Sequence, residues 1–62
     1  MKIGQKCKEL RESKGLTRQQ LGYIWGITPQ GIYNFEKGIN NSGYLLREYI
    51  RMGVAINEED EF

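Results

Sequence analysis

Residues 15–38 read GLTRQQLGYIWGITPQGIYNFEKG, which predicts two short helices joined by a tight turn. Thr17 with Gln20 three residues later is the pattern of a capping box, so one helix begins directly after Thr17. Thr28 before Pro29 places a good N-cap ahead of proline at the first helical position, so the next helix begins at Pro29. The link between them is about three residues long and contains glycine, which is typical of a helix-turn-helix unit.

A recurring pair, glycine followed by an aliphatic residue, predicts where the helices end. A helix that stops at a left-handed residue favours glycine there, and the next side chain often folds back onto the helix. Four such pairs predict four helices, ending near residues 14, 25, 37 and 52. The start of the fourth helix stays open among three N-cap residues, 40–42. The pairs are Gly15-Leu16, Gly26-Ile27, Gly38-Ile39 and Gly53-Val54.

Apolar spacing gives each predicted helix one face for a shared core. Gly22 interrupts the second helix, where alanine is better by ~1 kcal/mol, so we expect the third helix to approach closely there; the alternative is a loose glycine at the surface. Trp25 is predicted to be a core residue rather than a stacking platform, and Cys7 a small buried side chain rather than a reactive thiol. The apolar faces comprise Ile3, Cys7 and Leu10; then Leu21, Trp25, Ile27, Ile32 and Phe35; and finally Leu45, Leu46, Tyr49, Ile50 and Met52.

Length and composition describe one small domain with little catalytic chemistry. The 62 residues contain no histidine and one cysteine, so the commonest acid–base group is missing and an internal disulfide is ruled out. The sequence has no metal-ligand cluster, phosphate-cradling glycine loop, membrane-length apolar run or secretory signal. We therefore expect a cytoplasmic protein that is not an enzyme and takes no cofactor, metal or small-molecule ligand.

Charge is divided unevenly along the chain. Residues 1–56 hold all nine lysines and arginines against four glutamates, whereas the last six residues hold four acidic side chains. A basic body of this kind hints at an anionic partner. We predict one domain over residues 1–54 and a short acidic C-terminal tail over residues 55–62, with room for at most a short fifth helix.

The residues around the predicted turn resemble the phage repressor and Cro helix-turn-helix family, also called the XRE family. The resemblance is carried by GLTRQQLG at 15–22, GITP at 26–29 and FEKG at 35–38. It implies an all-α, compact, lambda-repressor-like bundle of four helices in a nucleoid-associated bacterial protein. It also implies that the third helix, about residues 29–37, enters the major groove of double-stranded DNA. Arg18 stands where the family usually has glutamine.

Two groups of residues are candidates for DNA contacts, because proteins position themselves on phosphates and read base edges. Gln30 and Asn34 are four residues apart on the outer face of the third helix, and their amides suit the N6 and N7 edge of adenine. Glu36 is expected to serve the end of this helix or to pair with an arginine. The candidate base-reading residues are Thr28, Pro29, Gln30, Tyr33 and Asn34. The candidate phosphate-binding residues are Thr17, Arg18, Gln19, Lys37, Asn40 and Asn41.

The leading interpretation is a sequence-specific transcription regulator, a repressor or Cro-like protein of a phage, prophage or mobile element. An alternative is a protein-interaction module in which Tyr23, Tyr44 and Tyr49, or the acidic tail, bind a repressor or polymerase partner. An architectural role in recombination or plasmid maintenance is a third interpretation. Because the family commonly binds as symmetric dimers, a homodimer on a pseudo-palindromic operator is a further expectation. Its apolar surface would come from the fourth helix, residues 54–56 and Phe62.

Overall fold

Four helices and their connections make up the whole fold. The computed structural model describes residues 1–62 and contains α1 (Ile3–Ser13), α2 (Arg18–Trp25), α3 (Pro29–Glu36) and α4 (Gly43–Met52). The all-α, four-helix prediction is confirmed, and no fifth helix follows. None of these helices has both the length and the apolar character needed to cross a membrane.

The helices begin at the predicted capping residues. Both bonds of the capping box are present, because Thr17 Oγ1 accepts from the Gln20 N–H and Gln20 Oε1 accepts from the Thr17 N–H. Thr28 Oγ1 accepts from the backbone N–H of Gly31 at 3.1 Å, directly before Pro29. Ser42 caps α4 in the same way, which selects it from the three candidates.

The helices also end as the glycine pairs predict. All four of those glycines have a positive φ, and in each pair the N–H of the second residue donates to the carbonyl five residues earlier. This bond satisfies a carbonyl that the end of the helix would leave free. The side chains of Leu16, Ile27 and Val54 fold back toward the core, but Ile39 does not and is 70% exposed.

One hydrophobic core joins all four helices. Trp25 packs against it with its ring edge-to-face on Tyr49, at 4.9 Å between centroids, so its predicted core role is confirmed. Cys7 is fully buried, also as predicted. The prediction that Ile50 belongs to the apolar face of the fourth helix was wrong, because its side chain is 47% exposed. The buried apolar residues are Ile3, Cys7, Leu21, Ile32, Phe35, Leu45, Tyr49 and Val54.

Two glycines mark places where backbones meet closely. A Cβ at Gly22 would overlap the carbonyl oxygen of Ile27, and the nearest atom of α3, Ile32 Cδ1, would lie at 3.6 Å. The close neighbour of Gly22 is therefore mainly the turn, rather than α3 as expected. At Gly4, a Cβ would overlap the carbonyl oxygen of Glu36, so α1 and the end of α3 are in backbone contact.

The acidic C-terminal segment is ordered along α1. The carbonyl of Glu61 accepts from the N–H of Ile3 at 2.7 Å, and the N–H of Glu61 donates to the carbonyl of Met1 at 3.2 Å. Asp60 pairs with Lys6 at 2.7 Å and with the amino terminus at 3.4 Å. The segment therefore neutralises basic groups at the start of α1.

Candidate nucleic-acid interface

The turn between α2 and α3 fixes the position of α3. Gly26 adopts φ 70°, a left-handed conformation that L residues with a side chain rarely adopt, and the N–H of Ile27 returns to the Gly22 carbonyl at 2.9 Å. Ile32 and Phe35, on the inner face of α3, are fully buried. The opposite face of α3 is therefore directed away from the core.

That outer face is left uncovered by the rest of the chain. Thr28, Pro29 and Gln30 are exposed, and Tyr33 and Asn34 are half-buried. Because α3 is fixed through its apolar side, these residues form a polar strip on a rigid support. Of the five candidate base-reading residues, Thr28, Pro29 and Gln30 lie at the start of α3, and Tyr33 and Asn34 lie one turn further along it.

Gln30 and Asn34 form a hydrogen-bonded pair within this strip. Gln30 Nε2 donates to Asn34 Oδ1 at 2.9 Å, as expected for polar side chains four residues apart on a helix. Gln30 keeps its Oε1 acceptor and a second N–H donor, and Asn34 keeps both amide hydrogens. One acceptor and one donor on Gln30 are what bidentate reading of adenine requires.

Two cations flank the ring of Tyr33. The guanidinium carbon of Arg18 lies 5.0 Å from the ring centroid and Lys37 Nζ lies 5.7 Å from it, both within the range of a cation–π contact. Arg18 Nε also donates to Glu36 Oε1 at 3.2 Å. Positive charge therefore lies beside the polar strip at the start of α2 and at the end of α3.

Glu36 is buried and satisfied by three partners. Arg11 donates to both of its oxygens, with Nε at 2.8 Å from Oε2 and Nη2 at 3.3 Å from Oε1. The Tyr49 hydroxyl donates to Oε2 at 2.7 Å, and Arg18 completes the set. Of the two roles expected for Glu36, the structure shows the ion pair with arginine. The Glu36 side chain is 1% exposed, so its charge lies below the surface.

The network shifts the acid–base properties of its members. The hydrogen bond to Glu36 is the largest cause that raises the pKa of Arg11 above its ordinary value. Burial, followed by the hydrogen bond to Glu36, raises the pKa of the Tyr49 hydroxyl. Both groups therefore remain hydrogen-bond donors to Glu36 well above neutral pH. Every buried side-chain nitrogen and oxygen has a hydrogen-bond partner.

The candidate phosphate-binding residues lie in two groups along the chain. Thr17 and Gln19 are exposed at the start of α2, where the capping box uses the N–H groups of Thr17 and Gln20 and leaves those of Arg18 and Gln19. The other group follows α3: Lys37, Asn40 and Asn41 are exposed. Exposed N–H groups and cations of this kind suit phosphate oxygens.

Sequence reasoning missed Arg11. It is 5% exposed, yet it lies on the same face of α1 as Cys7, four residues earlier. That spacing was the available signal: an arginine that continues an apolar stripe needs a buried acidic partner.

Within the chain, no group of three or more His, Cys, Asp or Glu side chains is arranged to hold a metal ion.

Comparison with known proteins finds relatives that are described as helix-turn-helix proteins. Over 38 residues, 61% of this chain, it is 50% identical to an uncharacterized HTH-type transcriptional regulator of Rickettsia prowazekii (strain Madrid E). Over the same length it is 47% identical to another protein so described, from Rickettsia conorii (strain ATCC VR-613 / Malish 7). The matched stretches span 29% and 30% of those two proteins. No family model and no solved structure matches the chain.

The fold and the arrangement of α2, its turn and α3 define a helix-turn-helix domain. Part of its sequence is similar to that of proteins described as helix-turn-helix transcriptional regulators.

Proposed function

We propose that this chain is a sequence-specific DNA-binding transcription regulator whose helix α3 enters the major groove. The observation that carries the proposal is the asymmetry of α3, with its apolar face buried in the core and its polar face uncovered. Residues 1–54 form the DNA-binding unit in this proposal. A role of this kind belongs in the bacterial cytoplasm, with the nucleoid.

Base reading falls to the outer face of α3 in this proposal. Gln30 and Asn34 contact base edges through their free amide groups, and Thr28, Pro29 and Tyr33 complete the reading surface. Phosphates on the two sides of the groove are held by the start of α2 and by the segment after α3. The phosphate-binding residues are Thr17, Arg18, Gln19, Lys37, Asn40 and Asn41.

The finer identity proposed is a repressor or Cro-like regulator of a phage, prophage or mobile element. Its support is the resemblance of residues 15–38 to the phage repressor and Cro family.

Two measurements test the proposed function. Selection from a random pool of DNA duplexes is expected to enrich a defined site. Fluorescence titration on that site at several salt concentrations is expected to show affinity falling with a log–log slope of about −0.9 for each phosphate neutralised. A pool that yields no preferred site, or binding that does not depend on salt, contradicts the proposal.

A homodimer on a pseudo-palindromic operator extends the proposal. Apolar residues are exposed on α4 and the segment after it: Ile50 is 47%, Ile56 37% and Phe62 42% exposed. A symmetric dimer would place two α3 helices about one turn of DNA apart. Sedimentation with and without the selected duplex tests this, and a monomer in both measurements contradicts it.

A second candidate function is that of a protein-interaction module. On α2, Tyr23 is 91% and Ile24 63% exposed, and they lie beside Leu16 in a shallow apolar depression. Tyr49 was also a candidate for contact with a partner, but it is fully buried and cannot make that contact. A double variant, Tyr23→Ser with Ile24→Ser, separates the two functions. Loss of binding to a polymerase or repressor partner with unchanged DNA binding supports the module. Loss of DNA binding with unchanged partner binding excludes it.

A further inference from the structure

Arg18 stands in a place that local helix energetics disfavour. It occupies the first position of α2, where the positive end of the helix dipole repels a cation. The side chain is nevertheless held in one position by contacts to α3 rather than left in solvent. A residue that goes against a local rule and is then fixed by tertiary contacts points to a function.

Two contacts fix the guanidinium of Arg18. Its Nε donates to the buried carboxylate of Glu36, and its central carbon Cζ lies over the ring of Tyr33, 5.0 Å from the centroid. Neither Nη1 nor Nη2 has a hydrogen-bond partner in the chain, and the side chain is 33% exposed. The two terminal nitrogens therefore remain available at the surface while the base of the guanidinium is held.

The charges in this cluster do not balance. Arg11 bonds both oxygens of Glu36 and is enough to neutralise it, so the charge of Arg18 is in excess. Lys37, the residue directly after α3, lies 5.7 Å from the centroid of the same Tyr33 ring and adds a second positive charge. A surface with two positive charges and free guanidinium N–H groups suits a phosphate, which a guanidinium binds through two parallel hydrogen bonds.

We propose that Glu36 is a positioning residue that holds Arg18, with Tyr33 as the platform beneath it, so that Nη1 and Nη2 grip one backbone phosphate of duplex DNA. The proposal rests on the proposed function and deepens it by naming how one phosphate is held. Because the guanidinium is ordered before binding, DNA meets a prearranged fork rather than a mobile chain. Tyr33 thus supports Arg18 in addition to its place in the reading surface, since the guanidinium carbon lies 5.0 Å from its ring centroid.

The test removes one phosphate charge at a time. A duplex selected from a random pool is synthesised with a neutral methylphosphonate at each backbone position in turn, and binding is measured for the wild type, Arg18→Lys and Arg18→Ala. Glu36→Gln is avoided because loss of the buried pair with Arg11 is expected to unfold the domain. Tyr33→Leu probes the platform, and Arg51→Ala on α4 serves as the control for loss of one positive charge.

We expect one methylphosphonate position to weaken wild-type binding about tenfold and to leave Arg18→Ala unaffected, with base preference unchanged. Arg18→Lys should behave like Arg18→Ala at that position, because an ammonium lacks both the Nε donor to Glu36 and the fork. In Tyr33→Leu, the methylphosphonate at that position should weaken DNA binding by less than it does in the wild type. The Arg51→Ala control should respond to the methylphosphonate at every backbone position as the wild type does.

Two results would overturn the positioning role. One is an Arg18→Lys variant with the wild-type pattern, which would mean that a point charge suffices. The other is equal sensitivity of wild type and Arg18→Ala at every phosphate. Failure to select any preferred duplex is a different outcome, because it contradicts the proposed function itself.

Discussion

The hydroxyl of Tyr49 on α4 donates a 2.7 Å hydrogen bond to Oε2 of Glu36, the last residue of α3. Both side chains are buried, and the same carboxylate holds Arg18 near the surface. The contact thus links the core side of α4 to the candidate DNA-binding face through one carboxylate.

Tyr49→Phe removes this bond while keeping the ring. We expect the free energy of unfolding to fall by about 2 kcal/mol, because hydrogen bonds to buried charged groups contribute about 1.5–3 kcal/mol. Urea unfolding should show a lower midpoint at an unchanged slope. Tyr44→Phe is the control, since its hydroxyl donates to the Trp25 carbonyl at an exposed site, and it should cost less than about 1 kcal/mol. Equal effects of the two substitutions would contradict a special role for the Glu36 network.

Gly22→Ala tests the close contact beneath the turn. The new Cβ would overlap the Ile27 carbonyl oxygen, a backbone atom that cannot move without shifting α3. We expect a loss of about 1–3 kcal/mol despite the better helix propensity of alanine. Gly43→Ala, where a Cβ meets open space, should be neutral or stabilising by up to about 1 kcal/mol. Thermal melts followed by circular dichroism compare the two. An undiminished melting temperature for Gly22→Ala would refute the contact.

The contact of Asp60 with α1 predicts a loss of stability in acid. The hydrogen bond from Lys6, and then the one from the Asn57 backbone, lower the pKa of Asp60 from 3.8 to about 2. Since the folded-state pKa lies below the unfolded value, this contribution is present above about pH 4 and is lost as the pH falls toward 2. Asp60→Asn should flatten the dependence of the melting temperature on pH in that window. Glu59→Gln, at an exposed residue with no ion pair, should keep the wild-type profile. Identical profiles for Asp60→Asn and the wild type would contradict the docked tail.

Cys7 is expected to be unreactive in the folded protein. Burial is the largest cause that raises the pKa of its thiol from 9.0 to about 12, and only the thiolate is a good nucleophile. At pH 8 a disulfide reagent should modify it slowly in buffer and rapidly in denaturing urea. Because the folded-state pKa is raised, the contribution of Cys7 to stability is full below the unfolded value and declines as the pH rises above it. Fast modification in buffer would show that the core opens at Cys7.

The sequence predicted the helices well because their limits depend on neighbouring residues. The Thr17 and Thr28 caps and the four glycine pairs act within six residues of chain, so nearby residues are enough to predict where each helix begins or ends. The buried role of Arg11 depends on Glu36, 25 residues away, and no local pattern reports that pairing.

The order of the C-terminal segment escaped prediction for the same reason. Asp60 meets Lys6 across 54 residues, and composition alone described an acidic tail. At the candidate site, periodicity placed Gln30 and Asn34 on the outer face of α3 correctly. Periodicity did not place Arg18 against Tyr33 and Glu36, because that contact depends on how α2 and α3 pack.

The most direct test of base reading by α3 compares the preferred DNA sites of the wild type, Gln30→Ala and Asn34→Ala, selected from one random pool. Gln5→Ala is the matched control, because Gln5 makes a similar exposed bond to Glu9, four residues along α1. Each α3 variant is expected to lose preference at one or two base pairs, by about 1–3 kcal/mol each, while Gln5→Ala selects the wild-type site. Wild-type preference in both α3 variants would contradict base reading by α3.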